Sequence, residues 1–145
     1  MPIGDLATWI SGLATLAAVC VALYYSMRSE ARASEAINAR VYAWALHQGA
    51  AENWCLIVTN LTDAPVYTWQ VKLTWVATSG AELSETISDA DGGLLVPGQQ
   101  SYNWTPSPPP ENDALVKPEL TFVDARGIRY RRDERGKLSK VGRLA

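Results

Sequence analysis

One histidine, one phenylalanine and two cysteines are all that 145 residues supply of those types. With His47 alone, no Ser-His-Asp, Cys-His or multi-histidine metal site can be assembled within one chain, and His47 reads as a partly buried strand residue. Cys20 falls in an apolar run and Cys55 in a strand pattern, so the two are expected in different compartments and unpaired, as suits a reducing cytoplasm. No glycine pattern of a phosphate or dinucleotide loop occurs. Asp89-Ala90-Asp91-Gly92-Gly93 has part of the look of a calcium loop, yet it lacks a third oxygen ligand before the glycine and the closing glutamate, so a plain turn is the reading. No catalytic residue, cofactor or metal is expected, and the chain is not read as an enzyme.

Charge is missing in two places that matter. Residues 6–25, LATWISGLATLAAVCVALYY, contain none, and no Lys or Arg precedes Arg28. Twenty helical residues at ~1.5 Å each make about 30 Å, the thickness of a bilayer's hydrocarbon core. Trp9 near one end and Tyr24 and Tyr25 near the other stand where amphipathic rings favour the interface. A cleaved leader needs a positive region before the apolar run, whereas Asp5 is the only side-chain charge there. Ala17-Ala18-Val19-Cys20 has the outline of a lipoprotein site, but Val19 is bulky and the run continues past the cysteine. The basic residues Arg28, Arg32 and Arg40 all follow the span, so by the positive-inside rule the C-terminal bulk faces the cytoplasm. The expectation is a single-pass protein of the inner (plasma) membrane with its N-terminus outside. Ala14, Ala18, Ala22 and Ser26 recur every four residues and form a smooth ridge for helix–helix packing, in self-association or in docking to another protein.

What remains divides by charge. Residues 45–125 hold two basic side chains, Lys72 and Lys117, against ten acidic ones, while residues 126–145 hold eight basic against Asp133 and Glu134. The basic set includes Arg129, Arg131, Arg132, Arg135 and Lys137, candidates for contact with anionic lipid or a partner; the plainer alternative is a solvated tail. Nucleic acid is not expected, since no aromatic-basic interleaving beyond Tyr130 accompanies the charge.

After a helical stalk over 28–40, free of Gly and Pro, the pattern turns to strands. They are expected at 41–48, 54–60, 66–77, 82–88, 99–105, 117–124 and 128–132, with turn chemistry between them. In 66–77 the alternation puts Tyr67, Trp69, Val71, Leu73 and Trp75 on the core face and Val66, Thr68, Gln70, Lys72 and Thr74 on the wet one. The fold class is mainly β, an immunoglobulin-like antiparallel sandwich of about seven strands behind one long helix. Its parts are a transmembrane helix over 1–27, the stalk over 28–40, the sandwich over 41–132 and a basic tail over 133–145.

The segments VTNLTDAPV (58–66), LVPGQQ (95–100) and FVDARGIRY (122–130) carry a resemblance. The chain resembles small bacterial and phage-encoded proteins in which a single span and a basic stalk precede an immunoglobulin-like module. Those modules end in Phe-x-Asp-x-x-Gly-x-x-aromatic-x-Arg, matched here by Phe122, Asp124, Gly127, Tyr130 and Arg132, with Tyr130 in place of Trp. The resemblance implies an anchored protein-interaction module, a subunit of a larger assembly. The alternative is a virion or tubular-assembly protein whose N-terminal helices form a bundle. Of the six tryptophans most are expected in the core, with one or two exposed beside Tyr42 or Tyr102 as partner anchors. Asn60-Leu-Thr62 and Asn103-Trp-Thr105 match a glycosylation sequon, which matters only outside a eukaryotic cell.

Overall fold

The computed structural model describes residues 3–48, 53–89, 93–111 and 116–143. The chain forms two compact units, Met1–Ile37 and Asn38–Ala145.

The first unit belongs to one continuous helix, α1 (Ile3–Asn38, 36 residues), so the apolar run and the stalk are a single element. Its interior has no proline and, past Gly4, one glycine, Gly12. Thr15 turns its hydroxyl back to the Ser11 carbonyl (2.9 Å) and Ser29 to that of Ser26 (2.8 Å), which satisfies polar groups locally. The helix is long and apolar enough to cross a membrane, and none of its apolar stretch is buried.

The second unit is the β-domain: β1 (Val41–His47), β2 (Trp54–Asn60), β3 (Tyr67–Val76), β4 (Glu82–Ser88), β5 (Gly98–Trp104), β6 (Lys117–Val123), β7 (Ile128–Arg132) and β8 (Leu138–Arg143). They form a three-stranded sheet in the order β1-β2-β5 and a five-stranded sheet in the order β4-β3-β6-β7-β8, every pairing antiparallel. The second strand lies between the first and fifth while the third and sixth pair in the opposite sheet, which is the order of an immunoglobulin-like sandwich. Trp69, Val71, Leu73 and Trp75 from β3 meet Leu56, Val58 and Trp104 in one core. The rings of Trp54, Trp104 and Trp75 meet edge-on, at 6.1 and 5.1 Å between centroids.

Three expectations change. A bulge at Thr68, with φ at +45°, shifts the register between Tyr67 and Gln70. Upstream of it the faces exchange, so Val66 is buried and Tyr67 is 42% exposed, the reverse of the plain alternation. Gly93 belongs to the same feature: Trp69 N–H donates to its carbonyl (3.2 Å), and a Cβ on Gly93 would stand 2.9 Å from the Trp69 nitrogen.

Secondly, the sheet does not stop at residue 132. Residues 133–137 turn the chain and β8 pairs along β7, so residues 138–143 of the segment read as a tail form an eighth strand. Asp124-Ala125-Arg126-Gly127 and Asp133-Glu134-Arg135-Gly136 are two copies of one turn. In each the aspartate Oδ1 accepts the amides two and four residues on (2.9 and 2.9 Å; 3.0 and 2.8 Å), and the glycine takes a positive φ of 75° or 79°. That is a three-residue hairpin loop with its glycine in the left-handed region.

Thirdly, His47 is exposed at the end of β1, its ring 5.1 Å from that of Trp54. Sequon residue Asn60 is fully buried and donates to the Ala64 and Leu95 carbonyls (2.9 and 3.1 Å), which makes it a turn anchor with no room for a sugar. The calcium-like stretch lies largely outside the described residues, at 90–92.

Candidate interaction surfaces

Along α1 the large apolar side chains point outward: Trp9, Ile10, Leu13, Leu16, Val19, Leu23, Tyr24 and Tyr25 are each about half to three-quarters exposed. Ala14, Ala18, Ala22 and Ser26 are exposed as well and, four residues apart, share one face. Among the flanking basic residues Arg28 donates to the Tyr24 hydroxyl at 3.5 Å, while Arg32 and Arg40 are exposed.

The two sheets turn different faces outward. The outer side of the three-stranded sheet is made by Tyr42, Trp44 and Leu46 of β1, Ile57 of β2, and Gln99, Ser101 and Asn103 of β5, with Cys55 and Thr59 of β2 buried beneath them, and it holds no charge. Tyr42 and Trp44 stack at 5.5 Å and are half-buried, and Leu46 beside them is 49% exposed. Of the tryptophans in the β-domain Trp44 is thus the one on the outer side, half-buried; Trp54, Trp69, Trp75 and Trp104 are core. The five-stranded sheet instead presents Lys72, Glu82, Lys117, Glu119, Arg129 and Arg131.

The five basic residues singled out by the sequence are not one patch. Arg129 and Arg131 point outward from β7, and Arg131 pairs with Glu119 at 2.6 Å. That hydrogen bond, and then the Glu119 charge, raise the Arg131 pKa above its ordinary value. Arg135 and Lys137 lie in the β7–β8 turn, exposed. Arg132 points the other way and is a structural residue: its guanidinium donates to the carbonyls of Val41 (2.9 Å), Ala39 (2.7 Å) and Gly136 (2.5 Å). Burial lowers its pKa, Asp133 and Tyr42 opposing more weakly. Three of its five N–H donors are thus engaged by backbone carbonyls, which sets Arg132 apart from the four exposed basic residues.

The remaining motif residues are structural too. Phe122 and Tyr130 stack across the β6–β7 pair at 5.6 Å. Besides its turn bonds Asp124 takes Asn38 Nδ2 at 3.3 Å and the Arg126 guanidinium at 3.4 Å.

A depression of about 320 Å³ on the five-stranded sheet is lined by Thr74, Lys117, Glu119, Arg131, Asp133, Glu134 and Arg135. Its charges satisfy one another, Lys117 with Glu134 (3.5 Å) and Arg131 with Glu119, which leaves a mixed-charge surface of no single sign. Among the described residues no cluster of His, Cys, Asp and Glu could hold a metal ion. No protein-family model matches the chain, and comparison with curated proteins finds no match.

Proposed function

We propose that this chain is a non-enzymatic, single-pass membrane protein whose β-domain is a protein-interaction module, a subunit of a larger bacterial or phage-encoded assembly. In this reading α1 crosses the inner (plasma) membrane with its N-terminus outside, and Arg28, Arg32 and Arg40 hold the β-domain on the cytoplasmic side. The observation that carries it is the exposure of α1: leucine, isoleucine and tryptophan side chains face outward from a helix long enough to span a bilayer. The uncharged Tyr42–Trp44–Leu46 face supports the interaction role, since aromatic anchors with few charges mark the core of protein interfaces.

The test is fractionation of the full-length protein from its host, with an alkaline carbonate wash and then protease treatment of right-side-out vesicles. Retention in the pellet with residues 41–145 protected is the expected result. Release by carbonate as a large soluble particle would replace the span with a bundle of α1 helices in a structural assembly, and digestion of the β-domain in those vesicles would invert the topology.

A further inference from the structure

The five-stranded sheet ends on two strands of opposite charge. β4 carries Glu82 and Glu85 and no basic residue; β8 carries Lys140 and Arg143, follows Lys137, and has no acid. All five side chains are exposed. Charged edge strands ordinarily hold sheets apart. Here each edge repels its own kind and attracts the other.

We propose that copies of this chain associate head to tail, the β8 edge of one adding to the β4 edge of the next as a parallel strand. Every neighbouring pair in the sheet is antiparallel, so β4, β6 and β8 run the same way, and a second copy in the same orientation presents β8 parallel to β4.

One register satisfies charge, face and hydrogen bonding together. Glu82 set beside Lys137 also sets Glu85 beside Lys140. Glu85 lies opposite Leu73 and Lys140 opposite Tyr130, both on the side of the sheet that faces the core. Glu82, opposite Val76, and Lys137, one residue before the half-buried Leu138, belong to the outer side. The turn bonds fix which backbone groups are free. Ala77 N–H donates to the Ala81 carbonyl and Asp133 N–H to that of Lys137. Counting in twos from these pairs, Glu82, Ser84 and Thr86 direct their N–H and C=O groups away from β3, and Leu138 and Lys140 direct theirs away from β7. In the same register outward-directed Ser84 meets Ser139, already bonded to β7, and outward-directed Lys140 meets Glu85, already bonded to β3. That alternation is what a parallel ladder requires: Ser84 N–H donates to the Leu138 carbonyl, and Lys140 N–H donates to the Ser84 carbonyl.

The occupant is a second copy because edge, charge and register match within this one sequence. The contact is heterologous, so it repeats and does not close on a dyad. The inference rests on the interaction-module reading for the kind of partner and not on membrane insertion; carbonate fractionation and edge cross-linking fail independently.

The test uses full-length protein in detergent with Cys20→Ser as background, and compares Ser84→Cys and Ser139→Cys chains under oxidation. The mixture should give a disulfide-linked dimer, each variant alone should give no disulfide-linked species, and the chain with both substitutions should give a ladder of linked oligomers. Adding Lys137→Glu and Lys140→Glu to the Ser139→Cys chain should abolish the cross-link, and high salt should weaken it. A mixture that cross-links no more than either variant alone overturns the proposal. So does an unsubstituted chain that sediments as a monomer at low salt.

Discussion

The two units of this chain use the same apolar residue types in opposite ways. In the β-domain Leu56, Leu73, Leu95 and Leu120 are at most 1% exposed, whereas on α1 Leu13, Leu16 and Leu23 are about 60% exposed. A protein interior and a bilayer are both refuges from water, but only the first is built by the chain itself. The domain spends its apolar side chains on a core that two sheets close. The helix keeps its own outside, where in the proposed reading lipid or another helix takes the place of a core.

The contrast breaks most visibly by truncating one leucine of each kind. Leu73→Ala removes a fully buried side chain between the sheets and should cost about 2–5 kcal/mol in urea unfolding of the β-domain. Leu16→Ala on the exposed helix should leave that transition where it is. Equal losses from both would mean that α1 is packed against protein. The converse substitution sharpens the comparison. Leu16→Arg puts a charge near the middle of the proposed span, at about 2.5–3.5 kcal/mol for insertion, and should release protein from carbonate-washed membranes while the urea transition stays unchanged.

Seven strands were legible because each sets alternating side chains, or in β2 a near-continuous apolar run, against a core, and their observed ends fall within one or two residues of the expected ones. β8 was not, and the reason lies in its composition. In LSKVGR only Leu138 is half-buried and Val141 is 56% exposed, so an edge strand held by backbone bonds to β7 has no alternation to show. The signal that was present is the repeat of Asp-x-Arg-Gly at 124–127 and 133–136, since a turn that closes one hairpin closes a second. The bulge at Thr68 had no such signal; its partner Gly93 lies far along the chain. That one tryptophan would stand outside the core was legible, though not which one, whereas the opposed charges of β4 and β8 become an arrangement only once strand order puts both at sheet edges.

The repeated turn separates what each copy contributes. Asp124 is buried and holds Asn38 and Arg126 as well as its turn amides, so Asp124→Ala should cost about 1–3 kcal/mol. Asp133 serves turn amides on a more open surface, and Asp133→Ala should cost about 0.5–1.5 kcal/mol while freeing β8 in hydrogen exchange. Equal costs would mean that the tie to Asn38 contributes nothing.

The smallest effect concerns Tyr102, on the core side of β5. Burial, and then the nearby charge of Asp89, raise its pKa above the ordinary phenol value. The folded state therefore keeps this proton at a pH where the unfolded chain has released it, and stability falls as pH rises above about 10. The hydroxyl also donates to Gln100 Oε1 at 2.5 Å, so Tyr102→Phe should lower stability slightly at neutral pH. Without a proton to lose, the variant should fall less steeply on the alkaline side, and the gap in urea midpoint between the two proteins should narrow as pH rises past about 10. A gap that widens there would mean that the phenolate is better accommodated in the fold than in water, against the burial that places Tyr102 beside Trp69, 5.1 Å between rings.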